Sequence, residues 1–320
     1  MPSHFRRPTG ALAAVAALLT LTACGQSADD AAGAGGSGDA GTLVFAAVPA
    51  EESTSLEQSF DATIAMLEEE TGMAIEFQNA TDYAAVIEGM RAGQIDIAQF
   101  GPFSYVLAEG QGAQITPVAA SIEEEGGEPG YQSYGIVPAG SEITDLAGYA
   151  GRTVCFVDPG STSGYLYPTA GLLEAGIDPE AGGLEQTFAG GHDASVLAVA
   201  SGQCDAGFAY DEMVDTELIS SGQLQPGQIT TVWKSETIAG SPVAISDELD
   251  QGLRQKITSA FQEKANVDYL TENGFCDSVE NCEVGEEEGW GYVAVDDSLY
   301  DGVRRVCEVT QAESCTALDG

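Results

Sequence analysis

Short apolar, β-branched runs alternate with segments of helical periodicity from residue 42 onward. Residues 42–48 predict a first strand, and residues 56–70 predict a helix because Phe60, Ile64 and Leu67 share one face and Gly72 follows. The pattern continues with a strand at 74–78, a helix at 83–91 and a strand at 95–99. This β-α-β-α-β beginning is typical of a layered α/β protein.

A second α/β series follows Pro138 and Gly140. It predicts strands at 153–157, 184–188 and 206–210, a helix that ends before Gly176 and a helix at 194–200. Strands at 229–233 and 242–245 and a helix from 247 to about 265 come after it. Two such series joined by extended crossovers predict two lobes with a cleft between them, the first formed by residues 42–138 plus 236–320 and the second by residues 139–235. Ligands of such sheets bind at the carboxyl ends of strands.

The amino-terminal residues predict export. Arg6 and Arg7 precede an apolar run over residues 11–21, which is too short to favour a permanent membrane span. The following sequence LTAC-G resembles the lipobox of bacterial lipoproteins, which implies a signal peptide over residues 1–23 and acylation of Cys24. An ordinary secretory signal is the alternative. Residues 24–41 are mostly Gly, Ala, Ser and Asp and are predicted to form a flexible tether.

The formal net charge of −41 comes from 51 acidic residues against ten Lys and Arg. This composition argues against nucleic-acid binding, because phosphate backbones are bound by Lys and Arg. Besides Cys24 the chain has six cysteines, an even number in an oxidising compartment. Proximity along the chain favours the disulfides Cys155–Cys204, Cys276–Cys282 and Cys307–Cys315. Metal binding is the alternative, but the spacing lacks paired C-x-x-C motifs.

The segment DPGSTSGYLYPT, residues 158–169, sets three hydroxyl side chains between two glycines at a predicted strand-to-helix turn. It is not the G-x-S-x-G elbow of hydrolases, because Thr162 occupies the central position, and it lacks the lysine of a P-loop. Hydroxyls beside backbone N–H groups at a helix start can bind an anion. Simple capping of the helix by Ser or Thr is the alternative. Pro168 is expected to kink this helix or delay its regular part.

The segment GGHDAS, residues 190–195, is a second glycine turn that leads into a helix. His192 could help to hold an anion there, or it could be an incidental surface residue while Asp193 caps the helix. Tyr83, at a helix start, and Tyr131, in a crossover, could each donate a hydrogen bond without adding charge. Tyr105 is expected to belong to the core.

Five collinear segments resemble the phosphate/phosphite/phosphonate substrate-binding proteins of ABC importers, and the similarity runs from about residue 42 to residue 265 or beyond. The segments are TDYAAVIEGMRAGQIDIAQFGP (81–102), GYQSYGIV (130–137), DPGSTSGYLYP (158–168), GGHDASVLAVASGQCDAG (190–207) and VWKSETIAGSPV (232–243). The resemblance implies an α/β type II periplasmic-binding-protein fold, with two lobes that close on ligand through a hinge. It implies that the oxyanion is held by Ser161, Thr162, Ser163, His192, Tyr83 and Tyr131.

The resemblance also bears on what is attached to the oxyanion. Family members that bind an aminoalkylphosphonate set two acidic residues against the amine. Asp211 or Glu212 could serve as the first, but Ser241 occupies the second position, so phosphite or methylphosphonate becomes as plausible a ligand. The carboxyl-terminal region with four cysteines has no clear counterpart in the family.

The sequence therefore predicts a monomeric, lipid-anchored receptor on the outer face of the cytoplasmic membrane. It would capture phosphonate, phosphite or phosphate and deliver it to an ABC permease, without catalysis, cofactor or metal. One alternative is a receptor of the same fold for a sulfonate, an amino acid or ferric ion. The others are a serine hydrolase that uses Ser161 or Ser163, and a structural or adhesive surface protein.

Overall fold

The computed structural model describes residues 41–50, 53–285 and 289–318, which belong to one unit of the chain, Ala40–Gly320. The predicted signal peptide and Cys24 lie outside the described residues. The strands are β1 (Thr42–Ala47), β2 (Ala74–Gln78), β3 (Ile97–Gln99), β4 (Ile115–Ile122), β5 (Gly130–Tyr131), β6 (Ser133–Pro138), β7 (Thr153–Phe156), β8 (Glu185–Phe188), β9 (Ala206–Tyr210), β10 (Ile229–Lys234), β11 (Ile238–Ala239), β12 (Pro242–Ser246) and β13 (Gly291–Ala294).

The helices of the described residues lie mostly between these strands. They are α1 (Ser53–Ser59), α2 (Asp61–Thr71), α3 (Tyr83–Arg91), α4 (Pro102–Gly110), α5 (Tyr167–Glu174), α6 (His192–Ala200), α7 (Leu218–Ser220), α8 (Gln251–Glu263), α9 (Val267–Glu272) and α10 (Asp301–Thr310). None of them is long and apolar enough to cross a membrane.

Sheet 1 contains six strands in the order β13-β4-β12-β3-β1-β2. Strands β2 and β3 both pair with β1 in parallel, which confirms the predicted β-α-β-α-β beginning. The predicted helix 56–70 is instead two helices, α1 and α2, separated at Phe60. The buried ring of Phe60 packs edge-on against Phe45 at 5.0 Å and stacks on Phe77 at 5.7 Å, so this position serves the core of sheet 1.

Sheet 2 contains five strands in the order β10-β6-β9-β7-β8, in which β7 pairs in parallel with both β8 and β9. The chain crosses from sheet 1 to sheet 2 through β5 and returns through β11. These two short strands pair with each other, with Tyr131 opposite Ile238.

The division into two lobes stays a prediction, but its first boundary, at residue 138, does not match the strand pairing. Strand β6 (Ser133–Pro138) pairs with β9 and β10 of sheet 2, so the crossover ends before Ser133. The sequence pattern missed this because β6 follows the two-residue strand β5 after a single residue, without a composition break.

The three cysteine pairs predicted from proximity are the pairs that lie at disulfide distance in the structure. Cys155–Cys204 joins β7 to the segment before β9, Cys276–Cys282 closes a short loop after α9, and Cys307–Cys315 ties α10 to the turn that follows it. Such cross-links stabilise mainly by restricting the unfolded chain.

The helix after β7 starts irregularly, as Pro168 predicted. Thr162–Leu166 forms a single π-helical turn, and the regular helix α5 begins only at Tyr167. Such turns are rare and often mark functional sites. The turn requires glycine at position 164, because a Cβ added there would lie 2.3 Å from Cγ2 of Val157 and 2.8 Å from Oγ of Ser161.

We therefore expect Gly164→Ala to lower the free energy of unfolding by about 1–3 kcal/mol, the usual cost of an overpacked core position. Gly302→Ala is the matched control, since an added Cβ in helix α10 would meet only an arginine side chain at 3.7 Å. That change should be neutral or stabilising. Urea unfolding measures both, and equal midpoints for Gly164→Ala and the unchanged protein would contradict the tight turn.

Candidate functional site

Four helical segments begin at the carboxyl ends of strands and bring their N-termini to the space between the two sheets. Helices α3 and α4 follow β2 and β3 of sheet 1, while the π-turn and α6 follow β7 and β8 of sheet 2. Helix N-termini carry unpaired N–H groups and the positive end of the helix dipole. Their convergence creates a site for an anion without a basic side chain.

The segments that follow the strands of the two sheets contact each other at these helix starts. The backbone N–H of Phe103, in the first turn of α4, donates to Oγ1 of Thr162 at 2.8 Å. The backbone N–H of His192 donates to the carbonyl of Ala50 at 2.7 Å. Gly160 packs closely against Tyr83, the first residue of α3. A Cβ added to Gly160 would lie only 3.2 Å from Cβ of Tyr83. The run of three hydroxyl side chains at residues 161–163, called the hydroxyl run below, is therefore enclosed by residues that follow strands of both sheets.

The three consecutive hydroxyl side chains of the π-turn are all buried, with exposures of 1% for Ser161 and 2% for Thr162 and Ser163. Oγ of Ser161 caps the turn by accepting the N–H of Gly164 at 3.0 Å. The carbonyl of Ser163 accepts the hydroxyl of Ser133, on β6, at 2.5 Å. The capping alternative is thus correct for Ser161, but capping uses its oxygen only as an acceptor and leaves the hydroxyl proton available.

His192 is the first residue of α6 and lies buried beside Ser161, with 3.3 Å between Nε2 and Oγ. The N–H of Tyr210 donates to Nδ1 at 3.2 Å. Nδ1 therefore carries no proton, and the proton of the neutral ring is on Nε2, pointing to Ser161. Burial lowers the pKa of His192 from 6.5 to about 3, so the ring is neutral near pH 7. The interpretation of His192 as an incidental surface residue is wrong.

This tautomer separates the pair from the serine–histidine pair of hydrolases. A general base must offer Nε2 as an acceptor and is oriented by an acid at Nδ1–H. In this structure Nε2 donates and Nδ1 accepts from a backbone amide. Oγ of Ser161 then accepts from both Gly164 and His192, so its own proton has to point elsewhere. The pair is built to present a hydroxyl donor.

Asp158 holds the loop by hydrogen bonds to backbone N–H groups. It was not singled out as a site residue from the sequence. Its carboxylate accepts the N–H of Gly160 at 2.7 Å and a backbone N–H of Tyr83. Burial raises the pKa of Asp158, and the two backbone hydrogen bonds act in the opposite direction. This carboxylate therefore fastens the loop of sheet 2 to the start of helix α3 of sheet 1.

The two predicted tyrosines differ in how directly they adjoin the hydroxyl side chains of residues 161–163. Tyr83 is buried at the first position of α3, next to Gly160. Tyr131 is half-buried in the short strand β5, two residues before Ser133. Tyr105, predicted as core, is fully buried against Tyr300 with 4.9 Å between the ring centroids.

Asp211 and Glu212 follow the end of β9, one and two residues after Tyr210. Oδ2 of Asp211 accepts the N–H of Gln132 at 3.0 Å, next to Tyr131. Oδ1 of Asp211 is buried and makes no hydrogen bond within the described part of the chain. Burial raises the pKa of Asp211. Glu212 is half-buried. Ser241 is buried near sheet 1, where its carbonyl accepts a hydrogen bond from Gln99.

The backbone N–H of Phe103 and the hydroxyl of Ser133 are two donors that sequence reasoning missed. A proline at the first position of α4, directly after Gly101 and strand β3, was a signal for a helix start at a strand end. No such signal marks Ser133, whose role depends on the pairing of β6 in sheet 2.

Several basic side chains are held in ion pairs. Arg91 pairs with Glu88, Arg254 with Asp247, Lys264 with Glu70, and Arg304 with Glu109 and Asp297. Within the described residues, no group of three or more His, Cys, Asp or Glu side chains could hold a metal ion. The donors at this site are therefore hydroxyls, a neutral imidazole and backbone N–H groups.

The chain is similar to known proteins over most of its length. Residues 45–273 match the family model described as ABC transporter, phosphonate, periplasmic substrate-binding protein. The Phosphate-import protein PhnD of Mycolicibacterium smegmatis is 49% identical over 312 residues, which cover 95% of this chain and 97% of that protein.

Two solved structures share the fold. A binding protein component of an ABC phosphonate transporter from Pseudomonas aeruginosa superposes with a TM-score of 0.73 at 24% identity, covering 85% of this chain and 87% of that one. PhnD1 of Prochlorococcus marinus in complex with methylphosphonate gives a TM-score of 0.71 at 18% identity, covering 85% of this chain and 98% of that one. These likenesses confirm the predicted type II periplasmic-binding-protein fold.

The assigned tautomer can be checked by NMR. In a chain that begins at residue 41, His192 is the one histidine in the sequence. We expect its ¹⁵N ring signals to show a protonated Nε2 and an unprotonated Nδ1, without titration between about pH 5 and pH 8. The reason is that burial holds the pKa far below 6.5. A titration midpoint near the ordinary histidine value would contradict the assignment.

Proposed function

The chain belongs to the periplasmic substrate-binding proteins of phosphonate ABC transporters, and on this premise we propose that it captures a small phosphorus oxyanion between sheets 1 and 2. The ligand would be phosphonate, phosphite or phosphate, delivered to a membrane permease. The family consists of non-enzymatic receptors that work outside the cytoplasm. No covalent step is required of this chain.

The observation that carries the proposal is the buried run Ser161, Thr162 and Ser163 at a helix start, with the neutral ring of His192 fixed behind it. Each hydroxyl can point its proton into the space between the sheets. In a site shielded from water such fixed donors interact with an anion more strongly than they would in water. Tyr83, which lies next to Gly160, and Tyr131, two residues before Ser133, are the further donors that we propose.

The proposed site favours a ligand without an amine. Asp211 has a buried carboxylate oxygen without a hydrogen-bond partner in the described residues, so it suits a proton-bearing group of the ligand. Glu212 stays a candidate for the same role. A primary amine would be expected to use a second carboxylate, and Ser241 offers only a hydroxyl. The phosphate named for the Mycolicibacterium relative and the methylphosphonate in the Prochlorococcus structure are both amine-free.

We further propose that the protein is attached to the outer face of the cytoplasmic membrane by a lipid on Cys24. The support is the sequence alone: LTAC-G follows an apolar run, and a polar tether up to residue 41 separates it from the folded unit. The protein would act as a monomer, as one receptor closing around one ligand. The net charge of −41 disfavours nucleic acid as a partner.

A ligand panel tests the proposed function. We expect calorimetry of the folded protein to detect binding of at least one of phosphite, methylphosphonate and phosphate, with weaker binding of aminoethylphosphonate. Sulfate and methanesulfonate represent the sulfonate alternative, and an amino acid and ferric citrate represent the others. Binding of none of the phosphorus compounds, or tighter binding of a sulfur oxyanion, would reject the proposal.

A substitution tests whether the π-turn hydroxyls contact the ligand. Thr162→Ala should weaken the best ligand by at least about 1.5 kcal/mol, or roughly tenfold, because hydrogen bonds to charged groups are of that size. Thr153→Ala is the matched control, since Thr153 lies at the opposite end of strand β7 and bonds Glu185. Equal affinities of the two variants would place the site elsewhere.

A further inference from the structure

The terminal segment, residues 301–318, lies beyond the family match that ends at residue 273. We call it the strap; it comprises helix α10 and the 3-10 turn Glu313–Leu318. We propose that the strap positions residues 158–166, which we call the oxyanion loop, with Ser314 as the positioning residue and the Cys307–Cys315 disulfide holding Ser314 in place. This inference rests on the proposed function, because the loop in question is the one that would bind the ligand.

The beginning of the strap is fastened to sheet 1 through helix α4. Tyr300, directly before α10, is fully buried against Tyr105 of α4. Arg304 pairs with Glu109 at the end of α4 and with Asp297. Tyr105 donates its hydroxyl proton to the same Asp297 at 2.9 Å. Aromatic packing and a shared ion network therefore fix this end of the strap.

The far end of the strap contacts the oxyanion loop of sheet 2. The hydroxyl of Ser314 donates to the carbonyl of Pro159 at 2.9 Å. The N–H of Glu313 donates to Oε1 of Glu180 at 2.9 Å, and that oxygen also accepts the hydroxyl of Tyr165, inside the π-turn, at 2.5 Å. Two separate contacts thus join the strap to residues directly before and within the π-turn.

The disulfide controls whether Ser314 can make its contact. Cys307 is buried in the last turns of α10, and Cys315 is buried next to Ser314. Gln311, between them, ends the helix in the left-handed conformation, with φ of 52°, which reverses the chain direction. The disulfide joins the two sides of this reversal and restricts the segment that carries Ser314. Less conformational entropy is therefore lost when Ser314 contacts Pro159.

The contact bears on affinity because Pro159 lies two residues before Ser161. The loop is held on one side by Asp158, through the N–H of Gly160, and on the other side by Ser314. If the hydrogen bond from Ser314 to the carbonyl of Pro159 is lost, the hydroxyls of residues 161–163 become less ordered in the free protein. Ligand binding must then order them, and the entropy lost in doing so weakens the affinity. Pro159 is exposed, so without the contact to Ser314 we would expect this part of the loop to be loosely held.

The test compares Ser314→Ala with Thr316→Ala, in the full folded protein. Thr316 lies in the same turn, but its hydroxyl bonds Glu313 within the strap. We expect Ser314→Ala to weaken binding of the best phosphorus ligand about fivefold, the scale of one neutral hydrogen bond. Ser314→Thr should restore the affinity, and Thr316→Ala should leave it within twofold. Thermal unfolding should be similar for all three.

A second comparison tests the disulfide. The double variant Cys307→Ser, Cys315→Ser should weaken binding and speed amide hydrogen exchange of residues 160–166. The control is Cys276→Ser, Cys282→Ser, which opens another short loop that packs against the core of sheet 1. The control should change thermal stability without changing the exchange of the oxyanion loop.

The outcomes separate this inference from the proposed function. If the unchanged protein binds none of the phosphorus compounds, the proposed function fails, and exchange of residues 160–166 without ligand still decides whether the strap orders the loop. If ligand binds but Ser314→Ala changes neither the affinity nor that exchange, the positioning role is overturned. An equal increase in amide hydrogen exchange of residues 160–166 in both double-cysteine variants would also overturn the positioning role.

Discussion

An oxyanion that leaves water must exchange its hydration shell for donors that are already in place. The donors of the proposed site are neutral, in a chain with a net charge of −41, and such donors bind an anion best when they are fixed before the ligand arrives. This requirement accounts for the glycine at position 164, the buried hydroxyl run of the π-turn and the fixed tautomer of His192. It also accounts for helix starts from both sheets that meet at one place.

The acidic residues near the site serve this arrangement and do not oppose it. Asp158 accepts backbone N–H groups of both the oxyanion loop and helix α3, so its charge is spent on holding the two sheets together. Burial raises the pKa of Asp158 and of Asp211, and hydrogen bonds from backbone N–H groups to each carboxylate act in the opposite direction. Distant surface charge is screened over roughly 8 Å at physiological salt. In the proposed site, local donors would therefore govern recognition, and the net charge would mainly affect solubility and ligand entry.

Much of the fold could be predicted from the sequence because the relevant signals are local. Alternating apolar runs located β1, β2, β3, β7 and β9 to within two residues, and proximity gave the disulfides. The delayed start of helix α5 followed from the position of Pro168. The donors from Phe103 and Ser133, the crossover before β6 and the break at Phe60 were missed. Each depends on contacts between residues far apart in the chain, which a local pattern does not contain. The strap was missed for the same reason, since Ser314 and Pro159 are joined only in the folded protein.

A crystal structure of the protein with methylphosphonate would test the central claim most directly, namely that neutral donors hold the oxyanion. The account predicts phosphonate oxygens within about 3 Å of the hydroxyls of Ser161, Thr162 and Ser163, with no lysine or arginine nitrogen in contact. It also predicts that Nδ1 of His192 still accepts the N–H of Tyr210. A phosphonate bound by a basic side chain, or bound away from the π-turn, would contradict the account.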